Sequence, residues 1–192
     1  MMDEPRGWYS RGYLPHFDGV EVPQFLTFHL ADSIPRSLFQ QWQEELSLLE
    51  KTKAELERRK RIEAYLDLGY GEAWLRDPEL ASMVERALLF FDGKRYYLHA
   101  WVVMPNHAHV LFTPILPYSL ARIAHSWKSF TADQANKRLA RMGQFWWPES
   151  YDRFIREEHH YASTIAYIEN NPPKAKLCSA PEDYRFSSAY GR

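Results

Sequence analysis

The sequence predicts an α+β fold of the ferredoxin-like sandwich type, in which helices pack on one face of an antiparallel sheet. The first observation is the order of its segments, which runs strand, helices, strand, strand, helix, strand, helix. The second is a pair of apolar, β-forming segments that meet at Pro105 and Asn106, as the strands of a hairpin do. The third is length, because 192 residues with 45% apolar content suit one compact domain over residues 1–192.

The first half of the chain is predicted to contain one strand followed by helices. The segment Gln24–Asp32 alternates and favours β-structure, so we predict the first strand there. A long helix is predicted over Ser37–Leu68, which is rich in Leu, Glu, Lys and Arg and has no Pro or Gly. After a break, Asp77 caps a helix that runs to about Phe91. We interpret residues 36–93 as a helical insertion after the first strand.

The second half is predicted to contain the hairpin and two further helices. The strand Lys94–Met104 is apolar on both faces, which is typical of a sheet covered on both sides or of the covered side of a tight domain. Its predicted hairpin partner begins at His107. The remaining elements are a helix over Ser119–Arg141, a short strand within GQFWWPESYDRFIRE, and a helix over His159–Ile168 that ends near Asn171 or continues past it with a kink.

Composition limits the kinds of site that the chain can build. Cys178 is the only cysteine, which excludes a disulfide framework and a cysteine-based zinc site. The first thirty residues hold several charges and no continuous apolar block, so we expect no secretory signal, no membrane span and a cytoplasmic protein. The net charge is −1, but Leu120–Arg156 carries seven basic and three acidic residues, an excess of 7 − 3 = +4. Aromatic residues make up 16% of the whole chain and could stack on unpaired bases. The basic stretch could bind the phosphates of such a nucleic acid.

Two histidines at the start of the second hairpin strand are the first candidate site residues. His107 and His109 are two apart, so on a strand they project from the same face, where they could bind one metal ion or one phosphate. The alternative is that one histidine is buried and hydrogen-bonded and the other is exposed. The chain lacks the HxHxDH pattern of binuclear zinc hydrolases, a third alternating histidine, and HExxH. Two imidazoles leave a metal short of ligands, so further ligands must come from elsewhere.

A tyrosine and an asparagine later in the chain could supply the rest of such a site. If Ala162–Asn171 is helical, Tyr167 and Asn171 lie four residues apart and share a face. A carboxamide oxygen suits a hard cation, and a phenol is a possible nucleophile. The alternative is that Tyr167 belongs to the core and that Asn171 is a helix C-terminal residue before proline.

The motifs together resemble one family. They are MPNHAHVLF, LARIAHSWKSFTADQANK, FWWPESYDRFIR, YIENNPPKAKL and a closing YRFSSA. In this order they resemble the HUH single-tyrosine transposases, and within them the REP-associated tyrosine transposase branch, whose members are relatives of the insertion-sequence transposases that act on single-stranded DNA. The resemblance covers nearly the whole chain. It implies the HUH endonuclease fold, with His107 and His109 as catalytic metal ligands, Tyr167 as nucleophile, Asn171 as third ligand and Mg²⁺ or Mn²⁺ as cofactor. The doublet Pro172–Pro173 departs from the commoner single proline and could shift the helix end.

The resemblance also implies a function. The expected reaction is cleavage and strand transfer of single-stranded DNA beside a hairpin, through a 5′-phosphotyrosine intermediate, by a monomer or a homodimer. The candidate DNA-binding residues are Arg122, Trp127, Lys128, Lys137, Arg153, Arg156 and Lys174. Two alternatives remain at this stage: a non-cleaving DNA-binding protein or regulator with the same fold, and a metal-dependent hydrolase of small phosphate esters built on the same histidines.

Overall fold

A four-stranded antiparallel sheet organises the protein. The computed structural model describes residues 7–10, 15–18 and 21–192, the first two segments by their backbone alone. Strands β1 (Gly7–Ser10) and β2 (Pro15–Asp18) pair with each other in a separate ribbon. The main sheet contains β3 (Gln24–His29), β4 (Tyr96–Val103), β5 (His107–Pro114) and β6 (Tyr151–Phe154), in the order β4-β5-β3-β6. All three pairings are antiparallel, which confirms the predicted sheet and the hairpin of β4 and β5.

Six α-helices lie among the described residues. They are α1 (Arg36–Leu46), α2 (Lys51–Asp67), α3 (Pro78–Leu89), α4 (Leu120–Arg138), α5 (Glu158–Glu169) and the single turn α6 (Asn171–Lys174). Short 3₁₀ turns occur at Trp74–Arg76 and Pro181–Asp183. No helix of this described part is long and apolar enough to cross a membrane.

The single long helix predicted over Ser37–Leu68 is wrong, because the chain turns back at Ser47. Both the amide and the hydroxyl of Ser47 donate to the carbonyl of Glu44, which closes α1 with a tight turn. Helix α2 then folds against α1, and Arg61 pairs with Glu45 sixteen residues earlier. The turn lets the two helices bury apolar side chains together, which one continuous helix could not do.

The helices cover both faces of the sheet, whereas the sequence analysis expected them on one. Phe28 and Val110 point from the sheet towards α3 and α4. Phe25 and Leu111 point the other way, towards α5. The α1–α2 pair packs on this second face beside β6, around Tyr151. The physical reason is that β4 and β5 are apolar on both sides, so each side needs a cover. Residues 36–93 therefore serve two layers, and the single domain over 1–192 stays a prediction.

Helix α3 begins as the sequence predicted. Asp77 is the N-cap, its Oδ1 accepts from the backbone N–H of Glu79 at 2.9 Å, and Pro78 occupies the first turn. The other carboxylate oxygen accepts from Nε of Arg138 at 2.9 Å, and this guanidinium lowers the pKa of Asp77. One carboxylate thus starts α3 and joins it to the end of α4.

Removing the cap separates these two roles. We expect Asp77→Ala to lower the free energy of unfolding by about 1 kcal/mol, because an N-cap acceptor is lost. Asp77→Asn keeps an acceptor and loses only a solvent-exposed ion pair, which contributes little. Urea denaturation of the three proteins measures the difference. Equal destabilisation of both variants would show that the ion pair with Arg138, not the cap, stabilises the junction between α3 and α4.

Candidate active site

The two histidines meet inside the protein, on the sheet face covered by α5. His107 and His109 are 0% exposed, and their Nε2 atoms are 3.1 Å apart. Burial lowers the pKa of His107 well below its usual 6.5 and that of His109 to about 3, so both rings are neutral at pH 7. Neutral imidazoles with converging nitrogens are what a metal ion requires of histidine ligands.

Each histidine is held through its other ring nitrogen. Nδ1 of His107 lies 2.7 Å from Oδ1 of Asn106, and Nδ1 of His109 lies 2.7 Å from Oγ1 of Thr27 on the neighbouring strand. The sequence analysis treated Asn106 only as a turn residue and did not single out Thr27. The register of β3 against β5, which sets Thr27 opposite His109, was the signal that the sequence lacked.

Tyr167 lies beside the histidine pair, as the sequence analysis expected. Its ring centre is 5.4 Å from that of His109 and 5.9 Å from that of Phe25. Its hydroxyl is buried and has no hydrogen-bond partner in the described part of the chain. Burial raises the pKa of this phenol, and the carboxylates of Glu63 and Asp67 raise it further. The tyrosine is therefore held in its protonated form.

Asn171 lies next to Tyr167, but on a separate helical turn and not on the same helix as predicted. Helix α5 ends at Glu169, and Asn171 begins the separate turn α6, so it does not share one continuous helix with Tyr167. Pro172 and Pro173 lack the N–H groups that would continue α5. The Asn171 side chain is nevertheless buried and close enough to lower the pKa of Tyr167. Neither of its amide atoms has a hydrogen-bond partner among the described residues, which leaves the oxygen available to a ligand.

Helix α2 closes one side of the site, a role that the sequence analysis did not assign to it. Asp67 pairs with Lys174 at 2.5 Å, and the Lys174 ammonium lies 5.9 Å from the centre of the Tyr167 ring. Glu63, one turn earlier, has its pKa raised by burial, while Arg153 and Lys174 act in the opposite direction. Carboxylates of α2 and cations of β6 and α6 thus surround the tyrosine. No spacing in the sequence linked α2 to residues about a hundred positions later.

The candidate DNA-binding residues divide between the two faces of the sheet. Arg153 and Lys174 lie on the face of the histidines, and the guanidinium of Arg153 is 5.9 Å from the Phe25 ring. Arg122 and Lys137 are exposed on α4, on the opposite face, where Lys137 pairs with Asp133 at 2.7 Å. Arg156 is also exposed, with its guanidinium 4.3 Å from the Phe154 ring.

Two members of that set have structural positions instead. Trp127 is 3% exposed, and its indole N–H donates to the hydroxyl of Tyr96 at 3.0 Å, so its side chain packs in the core, and its contact with DNA stays a prediction that this burial does not favour. The Lys128 ammonium donates to the carbonyls of Trp147 and Pro148 at 2.7 and 2.8 Å. It fixes the loop before β6. Trp127 continues the stripe of Leu120, Ile123 and Ala124, which is the buried face of α4, whereas Arg122 and Lys137 lie outside that stripe.

Comparisons with known proteins find a matching family model, a similar curated protein and a solved structure with the same fold. The family model described as "Transposase IS200 like" matches residues 77–171. A "REP-associated tyrosine transposase" of Escherichia coli (strain K12) is 28% identical over 112 residues, which are 56% of this chain and 63% of that protein. The chain thus spans less than two thirds of this curated relative. These matches confirm the resemblance stated from the motifs.

A solved structure has the same fold. It is described as the "Structure of the REP associates tyrosine transposase bound to a REP hairpin". The match has a TM-score of 0.55 and 18% identity, and it covers 90% of this chain and 79% of that one. The α+β architecture with its four-stranded antiparallel sheet is therefore shared with that protein.

Buried histidines make the stability of the fold depend on pH. His29 lies on the same face of the sheet as His107 and His109, and burial lowers its pKa to about 4. The unfolded chain takes up a proton near pH 6.5, while the folded protein resists it, so stability is complete above about 6.5 and is lost as the pH falls towards 4. We expect His29→Phe to reduce the slope of unfolding free energy against pH by about 1.4 kcal/mol per unit in this range.

Urea denaturation at several pH values between 7.5 and 4.5 measures that slope. The exposed His125→Gln serves as the control for removing an imidazole from the surface. An unchanged slope in His29→Phe would mean that His29 is already protonated in the folded protein.

Proposed function

We propose, from the match of residues 77–171 to the family model described as "Transposase IS200 like", that the protein is a metal-dependent endonuclease and strand transferase for single-stranded DNA. The observation that carries the proposal is the position of the Tyr167 ring, whose centre is 5.4 Å from that of His109, the ring that in turn has its Nε2 3.1 Å from Nε2 of His107. A hydroxyl left free beside two neutral imidazoles suits a nucleophile that meets its partner only when substrate binds.

The proposed reaction is a transesterification at phosphorus. The Tyr167 oxygen forms a bond to the phosphorus atom, and the bond from phosphorus to the 3′ oxygen breaks. The products are a 5′-phosphotyrosine and a free 3′-OH, and the phenol proton balances the proton that the leaving oxygen takes up. Attack by a 3′-OH reverses the step and joins strands, because the new bond is again a phosphodiester. Lys174 is close enough to stabilise the developing phenolate.

The donor set fits a divalent cation. Two Nε2 atoms 3.1 Å apart can contact one ion, and the unpartnered Asn171 oxygen supplies a third ligand of the hard type. In the described residues no three His, Cys, Asp or Glu side chains form a metal cluster, and the Asn171 amide would add to the two imidazoles as a third protein ligand. The mixture of nitrogen and oxygen suits Mn²⁺ as well as Mg²⁺. When bound, such a cation would polarise a phosphate oxygen and offset charge in the transition state.

The proposed substrate is a DNA hairpin with an adjoining single strand, by analogy with the relative whose structure holds a REP hairpin. Arg153 and Lys174 would contact the scissile strand, since they share a sheet face with Tyr167. The exposed Arg122, Lys137 and Arg156 would contact flanking DNA. One chain contains the histidines and the tyrosine, so a monomer suffices, and a homodimer remains an alternative. A protein acting on chromosomal DNA would work in the cytoplasm.

A non-cleaving DNA-binding regulator is the second candidate function. It is favoured by the complete burial of His107 and His109, which no phosphate can reach unless a neighbouring element moves. Such a protein would bind hairpin DNA without forming a covalent link in Mg²⁺ or Mn²⁺. A hydrolase of small phosphate esters would likewise form no adduct and would be indifferent to the loss of the Tyr167 hydroxyl.

The nucleophile is tested with hairpin DNA that carries a labelled single-stranded flank. In Mn²⁺ or Mg²⁺ we expect the wild type to give a covalent protein–DNA band on a denaturing gel, and Tyr167→Phe to give none. The fold should persist, because the removed hydroxyl has no partner in the described residues. Tyr161→Phe is the matched control, since Tyr161 lies on α5 against His99 and away from the histidine pair. An adduct that survives in Tyr167→Phe would refute the assignment.

The DNA-binding face is tested with two matched lysines. Lys174 and Lys137 are both exposed and each pairs with one aspartate, but only Lys174 lies on the face of Tyr167. We expect Lys174→Ala to weaken single-strand binding and to reduce the slope of log K against log salt by about 0.7, which corresponds to one phosphate contact. Lys137→Ala should change the slope less. Fluorescence anisotropy at several salt concentrations measures both.

The partner of Lys174 supplies an opposite test of the same face. Asp67→Asn removes the carboxylate that pairs with Lys174, so it should strengthen DNA binding. Equal effects of Lys174→Ala and Lys137→Ala, with none from Asp67→Asn, would move the binding surface away from the histidine face.

A further inference from the structure

The two histidines are equivalent in the sequence motif, but their hydrogen-bond partners differ in chemistry. His107 contacts a carboxamide, that of Asn106, and His109 contacts a hydroxyl, that of Thr27. An amide oxygen can only accept a hydrogen bond, whereas a hydroxyl can donate or accept. The proton positions on the two rings can be deduced from this difference.

The orientation of Asn106 is fixed by its other contacts. Its Nδ2 donates to the carbonyl of Leu66 at 3.2 Å and to that of Tyr70 at 3.1 Å. Two carbonyl acceptors identify this end of the side chain as the NH₂ group, so the atom that faces His107 is the oxygen. That oxygen accepts, and Nδ1 of His107 must therefore carry the proton. Nε2 of His107 is left with a free lone pair.

The proton on His109 follows from the contact between the rings. Its Nε2 lies 3.1 Å from Nε2 of His107, which is an acceptor, so Nε2 of His109 is the donor. Its Nδ1 is then an acceptor, and the Thr27 hydroxyl donates to it at 2.7 Å. With these assignments every polar contact of the two buried rings joins one donor to one acceptor.

We propose that Asn106 and Thr27 are positioning residues that hold the two histidines as opposite neutral tautomers in the metal-free protein. His107 carries its proton on Nδ1 and has Nε2 ready for a cation. His109 carries its proton on Nε2 and must transfer it to Nδ1 before Nε2 can bind, with no net gain or loss of protons. The Thr27 hydroxyl permits this by turning from donor to acceptor.

The same contacts give helix α2 a part in the site. Leu66 belongs to the last turn of α2, and Tyr70 follows it, so the end of the helix holds the carboxamide that orients His107. Partners of this kind typically change metal affinity by about 10- to 100-fold when they are removed. The cation part of the inference rests on the proposed function, whereas the tautomers do not.

Nuclear magnetic resonance of ¹⁵N-labelled imidazoles in the metal-free protein at pH 7.5 reads the tautomers directly. We expect the wild type to show His107 protonated on Nδ1 and His109 on Nε2. Asn106→Asp keeps an acceptor and should keep the His107 tautomer, whereas Asn106→Ala should lose it. Asn170→Ala is the control, because the side chain of this exposed asparagine donates to the Ala166 carbonyl within α5. A wild-type His107 protonated on Nε2, or an unchanged tautomer in Asn106→Ala, overturns the proposal.

Calorimetric titration with Mn²⁺ tests the consequence. We expect about 10- to 100-fold weaker binding in Asn106→Ala and in Thr27→Val, and near wild-type binding in Asn106→Asp. Thr164→Val is the control for Thr27, since Thr164 is as buried but bonds a carbonyl within α5. Unchanged affinity in Asn106→Ala and Thr27→Val would overturn the positioning role.

The two proposals fail in distinguishable ways. If the wild type binds no Mn²⁺, the proposed metal function fails, while the wild-type spectrum still decides the tautomers. That spectrum also keeps the inference testable if Asn106→Ala does not fold.

Discussion

Complete burial of two imidazoles on the central strand β5 is the constraint on which the rest of the site depends. A sheet with apolar side chains on both faces must be covered on both, and the cover removes His107 and His109 from water. Their ring nitrogens can then be satisfied only by protein atoms or by a bound ligand. Asn106 and Thr27 satisfy the Nδ1 atoms and direct the Nε2 atoms towards each other. The same burial keeps both rings neutral.

The electrostatics around Tyr167 oppose its ionisation in the free protein. The hydroxyl is buried, and Glu63 and Asp67 on α2 add negative charge nearby. The compensating cations, Arg153 and Lys174, come from β6 and α6. A phosphate that entered this space would meet Lys174 already paired with Asp67, so exchange of the carboxylate for the phosphate is a natural part of substrate binding. The helical segment after β3 thus belongs to the site electrostatically as well as sterically.

The division of basic residues between two faces follows from helix and strand geometry. A helix such as α4 has residues all round its axis, and its Trp127 packs inward on Tyr96 while Arg122 points out. On β6, alternation alone puts Arg153 on the face of Phe25 and Tyr167. A local excess of positive charge in the sequence therefore says little about which charges act together.

The sequence by itself determined the local features: the antiparallel hairpin, the cap of α3, and the shared face of His107 and His109. These depend on strand alternation and cap chemistry, which are properties of neighbouring residues, whereas the association of the histidines with Tyr167 was implied by the family resemblance. Only the tertiary structure decided the break between α1 and α2, the cover on both faces, the separate turn that carries Asn171, and the parts played by Thr27 and α2. Those outcomes depend on contacts between segments far apart in the chain, where burial and register, not local preference, choose the arrangement with the lowest free energy.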